Sequence, residues 1–246
     1  DQAIEQADQV LFSHPGNERA LWLIASAQLQ SGNKQLAKKS IDNARLIAAD
    51  PVPFELLSID LYSPDQPTLV LPALKKLAEK YPDNVSVLNR LAACQIDSGL
   101  PDKANITLNN SLTIDGENAE TLILLGKIDR LTGNLDQAIA HLSQALRLDP
   151  SKIDAYLEMG QTYQDRREVD RAIEVYRKAI EMVAKDPRPY VQASAAYKES
   201  RDYRNAEFML RQAAQLSPSD QGIRRQLAAI VALNLVNNLQ EAPKRK

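Results

Sequence analysis

Two histidines, His14 and His141, one cysteine, Cys94, and 32 carboxylates are what this 246-residue sequence offers for metal, nucleophilic or acid–base chemistry. Zinc sites need three or four nitrogen, sulfur or carboxylate ligands that converge, and no Cys-His pair stands here at ligand spacing. A Gly-rich phosphate loop after a strand, an H-E-x-x-H helix and a nucleophile elbow are all missing from the text. The carboxylates recur at polar positions with a regular period, as a solvated face does. His14 precedes Pro15 in a turn and His141 falls on the outward side of a helix, so both read as surface histidines. Cys94 falls where a small, partly buried residue suits packing. No catalysis, metal or cofactor is expected.

Composition narrows the class further. Apolar residues make up 44% of the chain, charged ones 25% and aromatics 5%, which describes a well-cored protein. Thirty basic against 32 acidic side chains leave a net charge of -2, which excludes a generally basic nucleic-acid binder and a disordered acidic tail. A single cysteine excludes an intrachain disulfide framework and leaves the compartment open, with cytoplasm as the default and periplasm the alternative. The most apolar stretch, 227–236, is about half the roughly 20 residues a membrane span requires, and Asn234 interrupts it. No signal peptide is visible, and a start at Asp1 without Met suggests an excised or processed piece.

The elements that carry these residues follow from a repeat. Turn signals at Tyr81-Pro82-Asp83-Asn84, Asp115-Gly116-Glu117-Asn118 and Asp149-Pro150-Ser151-Lys152 start 34 residues apart, and Ser217-Pro218-Ser219-Asp220 comes two periods later. Between turns the apolar residues are spaced by three and four, with glycine or a polar pair near the middle of each block. Each period is therefore a helix A, a short turn, a helix B and a second turn. From Ala119, residues Leu122, Leu125, Gly126, Ala138, Leu142, Ala145 and Pro150 occupy positions 4, 7, 8, 20, 24, 27 and 32. Tyr156, Met159, Gly160, Tyr163, Ala172, Tyr176 and Ala179 occupy 4, 7, 8, 11, 20, 24 and 27 of the next block.

These residues resemble the tetratricopeptide repeat motif, with Gly133-Asn134-Leu135-Asp136-Gln137-Ala138-Ile139 and Ala145-Leu146-Arg147-Leu148-Asp149-Pro150 among its most typical strings. The frame predicts helix B of a truncated repeat over 1–17, then six repeats at 18–50, 51–84, 85–118, 119–152, 153–186 and 187–220. A C-terminal capping helix over 221–240 and a flexible tail over 241–246 complete it. The resemblance implies an all-α fold, a right-handed superhelical solenoid of antiparallel helix pairs. Positions 8, 20 and 27 must be small where backbones approach, as Ala25, Ala37 and Ala44 are. Pro67 and Pro101 suit the start of a helix B, and Gly32, Gly99 and Gly133 suit a left-handed helix end. The repeat at 51–84 departs: Val70 and Leu77 replace small residues, and Pro72 removes an amide. Its helix B is expected to kink or start late and to change the curvature locally, through either drift or a hinge.

In this family, positions 2, 5, 9, 12 and 13 of helix A usually face a concave groove. That places Arg19, Trp22, Ser26, Leu29, Ile59, Tyr62, Asn89, Ile96, Ile123, Lys127 and Arg130 as the candidate contact set, apolar and aromatic near the N-terminus and mixed in charge beyond it. Leu21 takes the core position where the family's Trp usually stands. Trp22, one residue on, is thus either an aromatic anchor for a bound peptide or packing against the N-terminal half-repeat. Lys127 and Arg130 either pair with an acidic partner or form a solvated face. From Gln164 onward, 16 basic and 11 acidic residues give a net of +5, read as helix pairs at i,i+3 and i,i+4 in preference to a nucleic-acid surface. Leu227, Ile230, Val231, Leu233, Leu235, Val236 and Leu239 cover more than one face of the last helix, so either more chain follows or that helix packs on another copy.

The resemblance points to a non-catalytic scaffold that binds another protein, as a peptide or a helix, with self-association through the C-terminal helix as a further expectation. An assembly or trafficking subunit of a bacterial envelope complex and the regulatory arm of a larger enzyme are the alternatives.

Overall fold

Asparagine or aspartate stands immediately before many of the helices and turns its side-chain oxygen back onto the amides of the first turn, which have no intrahelical partner. Asn17 accepts from Ala20 N, Asn84 from Val87 N, Asn118 from Thr121 N and Asp202 from Asn205 N. The computed structural model describes residues 2–62 and 67–241. The tail expected at the C-terminus falls, from 242 on, outside the described residues. The chain is all-helical, with fourteen helices and no strand among the described residues.

These helices fall into two units, Asp1–Asp115 and Gly116–Lys246. The first holds α1 (Gln2–Ser13), α2 (Glu18–Gln30), α3 (Lys34–Ile47), α4 (Val52–Tyr62), α5 (Pro67–Lys80), α6 (Val85–Asp97) and α7 (Pro101–Ile114). The second holds α8 (Ala119–Leu131), α9 (Leu135–Leu148), α10 (Ile153–Asp165), α11 (Val169–Met182), α12 (Pro187–Glu199), α13 (Tyr203–Leu216) and α14 (Gln221–Glu241). Within each unit every helix packs on the next, so each core is a row of small clusters without a single centre.

Three-residue turns reverse the chain between α2 and α3, α6 and α7, α8 and α9, α10 and α11, and α12 and α13. At the end of α8, Gly133 N donates to Arg130 O and Asn134 N to Asp129 O, with Gly133 at φ 84°. Gly32 and Gly99 adopt the same left-handed conformation at φ 78° and 72°. In the last two turns of this kind the glycine is gone. Arg167 and Arg201 hold φ 62° instead, with Arg167 N donating to Gln164 O and Glu168 N to Tyr163 O. A side chain with a Cβ is forced there into a conformation that glycine adopts without penalty.

Small residues sit where the helices touch. Ala37, Ala44, Ala104, Ala138, Ala145, Ala172, Ala179, Ala206 and Ala213 are all fully buried. The tightest approach joins α10 to α11: a Cβ built on Gly160 would lie 2.3 Å from the ring of Tyr176, itself fully buried. On α8 a Cβ at Gly126 would meet Leu142 at 2.6 Å. The smallest residue of one helix thus receives one of the larger side chains of the other.

Polar pairs twelve residues apart repeat this locking in hydrogen bonds. Ser40 Oγ donates to Gln28 Oε1 at 2.7 Å, Thr107 Oγ1 to Gln95 Oε1 at 2.9 Å, and His141 Nδ1 lies 2.7 Å from Asp129 Oδ2. His141 is therefore half-buried and tied to α8, a correction to its reading as a surface residue. Cys94 is buried in α6, and burial pushes its thiol above the ordinary range, as suits a packing residue. The expected late start of the second repeat's helix B is also corrected: α5 begins at Pro67 and runs through Pro72.

Two substitutions should move stability in opposite directions. Gly160→Ala overpacks the Tyr176 contact and should cost about 1–3 kcal/mol. Arg167→Gly relieves the left-handed strain, offset in part by the freer unfolded chain, and should stabilise by about 0.5–1 kcal/mol. Urea unfolding of both variants, with Gly16→Ala as a control whose added Cβ meets nothing within 4 Å, checks the pair.

Candidate functional site

The surface around Trp22 is set by a carboxylate at the start of α2. Glu18 Oε1 accepts from Ala49 N at 2.5 Å and from Asp50 N at 3.2 Å, while Asp50 Oδ1 accepts from Val52 N at 3.0 Å. This chain of bonds fixes the turn after α3 and brings the first residues of α4 beside α2. Leu21 packs on the core of Ala25, Ile41, Phe54, Leu57 and Leu61. Trp22, one residue round the helix, is left 43% exposed. With Glu18, Arg19, Pro53 and Phe54 it lines a cleft of about 310 Å³. Packing of α2 against α1 is carried by Ala20 and Ile24 against Ala7, Ile4 and Leu11. Arg19 also lines a second depression, with Ala7, Val10, Ala20 and Leu23 among others. One cation is thus shared by two hollows whose linings are largely apolar.

Arg19 and Trp22 are therefore brought together; the rest of the candidate set is dispersed or buried. Ser26 is buried and donates to Leu23 O at 3.1 Å. Leu29 is half-buried against the core around Ile41, and Ile59 against clusters that include Leu74 and Leu77. Tyr62 closes α4, and its side chain lies outside the described residues. Asn89 is buried and accepts from Ser111 Oγ at 3.0 Å. Ile96 and Ile123 are buried too, so Ser26, Asn89, Ile96 and Ile123 present no open contact surface. Lys127 is half-buried. Exposed Val10 and Leu23 and half-buried Pro53 line the two hollows without belonging to the candidate set. The run Leu21-Trp22-Leu23, more apolar than one helix stripe can bury, is their signal in the sequence.

Charged residues turn out to bridge neighbouring repeats. Arg130, its side chain only 15% exposed, donates to Glu158 Oε2 at 3.0 Å and Asp165 Oδ2 at 3.2 Å on α10. Arg166 binds Asp136 and also Glu168, the latter at 2.9 Å. Arg188 reaches Asp154 at 2.7 Å and Asp186 at 2.7 Å. Pairs at i,i+3 and i,i+4 exist as well, Arg171–Glu168 and Arg211–Glu207. Among the sixteen basic residues after Gln164, Arg166, Arg171, Arg188 and Arg211 have such partners, and two of those partners, Asp136 and Asp154, lie before Gln164. Tyr176 joins this network through its hydroxyl, which donates to Gln164 Oε1 at 2.8 Å; burial raises its pKa well above the ordinary value.

A second exposed apolar surface lies on α14. Ile223 and Ile230 are buried against Ala206, Leu210 and Ala213, while Val231, Leu233, Leu235 and Val236 face outward. The side chain of Leu239 is outside the described residues. Asn234 Nδ2 donates to Glu207 Oε2 at 2.8 Å and so ties this helix to α13.

Among the described residues no group of three or more His, Cys, Asp and Glu side chains could hold a metal ion. No helix there is long and apolar enough to cross a membrane.

Models of the TPR repeat match residues 126–166, and models of the tetratricopeptide repeat match 1–51, 153–185 and 187–220. No curated protein matches the chain. Among solved structures it is similar to MamA, at 29% identity over 61% of this chain and 87% of that one, with a TM-score of 0.50. A thermophilic TPR protein of Thermus thermophilus aligns at 20% identity over 72% and 96% of the two chains, TM-score 0.65. A tetratricopeptide repeat protein from Parabacteroides merdae aligns at 15% identity over 93% and 91%, TM-score 0.70.

Acid should loosen α14. Hydrogen bonds from Asn234 and then Arg211 hold the Glu207 carboxyl below its ordinary value of 4.5. A carboxylate with a depressed folded pKa contributes its full stability above the unfolded value and loses it as pH falls through the folded one. Hydrogen exchange of α14 should therefore quicken as pH drops below about 4.5, after correction for intrinsic rates, and Glu207→Gln should flatten that dependence.

Proposed function

The chain belongs to the tetratricopeptide repeat family, and on that premise we propose that it is a non-catalytic scaffold that binds a peptide or helical segment of another protein on the surface around Trp22. The observation that carries this reading is the exposure of Trp22 beside Arg19 and Pro53 while Leu21 fills the core position next to it. A regular helix pair buries its apolar stripe and leaves polar residues outside. An exposed indole held over a cleft, with a guanidinium alongside, is the combination that most often dominates protein interfaces.

The two hollows that share Arg19 suit a segment that offers two apolar side chains together with an acidic or carbonyl group. Glu18 has a structural task there, since its oxygen is committed to Ala49 N and Asp50 N. Affinity at such a site comes from the anchor and specificity from the cation. Self-association through α14 is a second reading, favoured by the outward-facing Val231, Leu233, Leu235 and Val236. It is independent of the Trp22 surface.

Partners captured on the immobilised chain and identified by mass spectrometry should be lost with Trp22→Ala. For a purified partner the loss should be about 2 kcal/mol or more, roughly thirtyfold in affinity. As the chain's single tryptophan, Trp22 should also shift its emission to shorter wavelength on binding. Undiminished capture by Trp22→Ala would overturn the reading.

A further inference from the structure

The second repeat is where the small-residue pattern fails. Position 20 is Ala37, Ala104, Ala138, Ala172 and Ala206 in the other repeats and Val70 here; position 27 is alanine or serine elsewhere and Leu77 here. Bulk at both places keeps α5 from closing onto α4 as the other helix pairs close. Position 8 records the consequence. Ala25, Ala92, Gly126, Gly160 and Ser194 are buried at that position, whereas Ser58 is only half-buried.

The space left is a cleft of about 310 Å³ within the first unit, with Ser58 and Ile59 of α4, Ala73 and Leu77 of α5, and a rim of Arg45, Lys76 and Lys80. Glu55 is the carboxylate in its lining, and it is already engaged: Lys80 Nζ lies 2.8 Å from its Oε1, and Tyr81 donates its hydroxyl to the same oxygen at 3.3 Å. Asp42 approaches Arg45 only at 4.0 Å, with both side chains exposed, a contact of little strength. Arg45 and Lys76 therefore stand over an apolar floor with their charge largely unmatched.

We propose that this cleft binds an acidic segment of a partner protein, seating one apolar side chain on Ile59, Ala73 and Leu77 while flanking carboxylates meet Arg45 and Lys76. Charge complementarity fixes the class of occupant. A basic segment would be repelled by the rim, and a purely apolar one would leave desolvated cations unpaired, so discrimination is built from both signs of interaction. The site goes beyond the Trp22 surface and does not depend on it.

The test uses the whole chain and a fluorescein-labelled peptide of glutamates around a central leucine pair, with lysine-for-glutamate and serine-for-leucine versions as comparisons. Fluorescence anisotropy should show saturable, salt-weakened binding of the first peptide and weaker binding of the other two. Reversing the rim with Arg45→Glu and Lys76→Glu, both exposed and checked for folding by circular dichroism, should weaken the glutamate peptide by roughly tenfold. The same double variant should strengthen the lysine peptide. Trp22→Ala should leave the glutamate peptide's affinity unchanged, which separates this site from the first. Absence of saturable binding, equal affinity for the acidic and basic peptides, indifference to rim reversal, or equal affinity for a single-stranded oligonucleotide would overturn the proposal.

Discussion

Close approach of paired helices is the constraint from which the rest of the structure follows. Where α10 meets α11 there is no room for a methyl group, because the ring of Tyr176 occupies the place a Cβ on Gly160 would take. Interiors packed this tightly do not yield gradually: a larger side chain must displace its neighbour or separate the helices. The alanines at the equivalent places are all fully inaccessible to solvent. A helix pair closed in this way still has an apolar flank, and only the next pair can cover it. Stacking within each unit is therefore a result of side-chain size at a few recurring positions.

That economy of space decides what the polar residues do. Hydrogen bonds twelve residues apart join the two helices of a pair, and ion pairs about one repeat apart join successive pairs, as Arg130 does with Glu158 and Asp165. A near-neutral chain with a quarter of its residues charged spends many of those charges on its own neighbours. Arg130 lies in a partly dehydrated place where its two carboxylates satisfy it, and such a group is ill suited to meet a partner. The same argument absorbs His141, whose ring takes the role that Ser40 and Thr107 play in other pairs.

The helices and their order were legible because size and period are written directly in the text: small residues at fixed places, glycine or proline at helix ends. Ion pairs between repeats were not, since a sequence shows a charge but not which of several acids on the next helix it reaches. Ser26, Asn89, Ile96 and Ile123 of the groove set are covered for a related reason. Periodicity fixes the centre of a helix's buried stripe, but residues at its margin are covered or bare according to how the neighbouring helix leans. Asn89, Ile96 and Ile123 lie on that margin and are covered; Trp22 lies on it and is bare. The displacement of tryptophan by one residue from the core position was visible in the sequence, whereas the role of Pro53 depended on where the turn after α3 placed it.

Binding capacity in such a fold has to come from its irregularities. A perfectly regular array presents the same surface at every repeat, so an extended ligand could slide by one period with little change in energy. Departures from the pattern break that degeneracy. The run Leu21-Trp22-Leu23 puts one more aromatic side chain on α2 than the core can take, and Val70 with Leu77 holds one helix pair partly open. Each departure forgoes some packing and leaves apolar surface beside fixed charge. Both belong to the same unit, where the chain's own polar bridges have not consumed Arg19, Arg45 or Lys76, and it is there that a partner's register would be set.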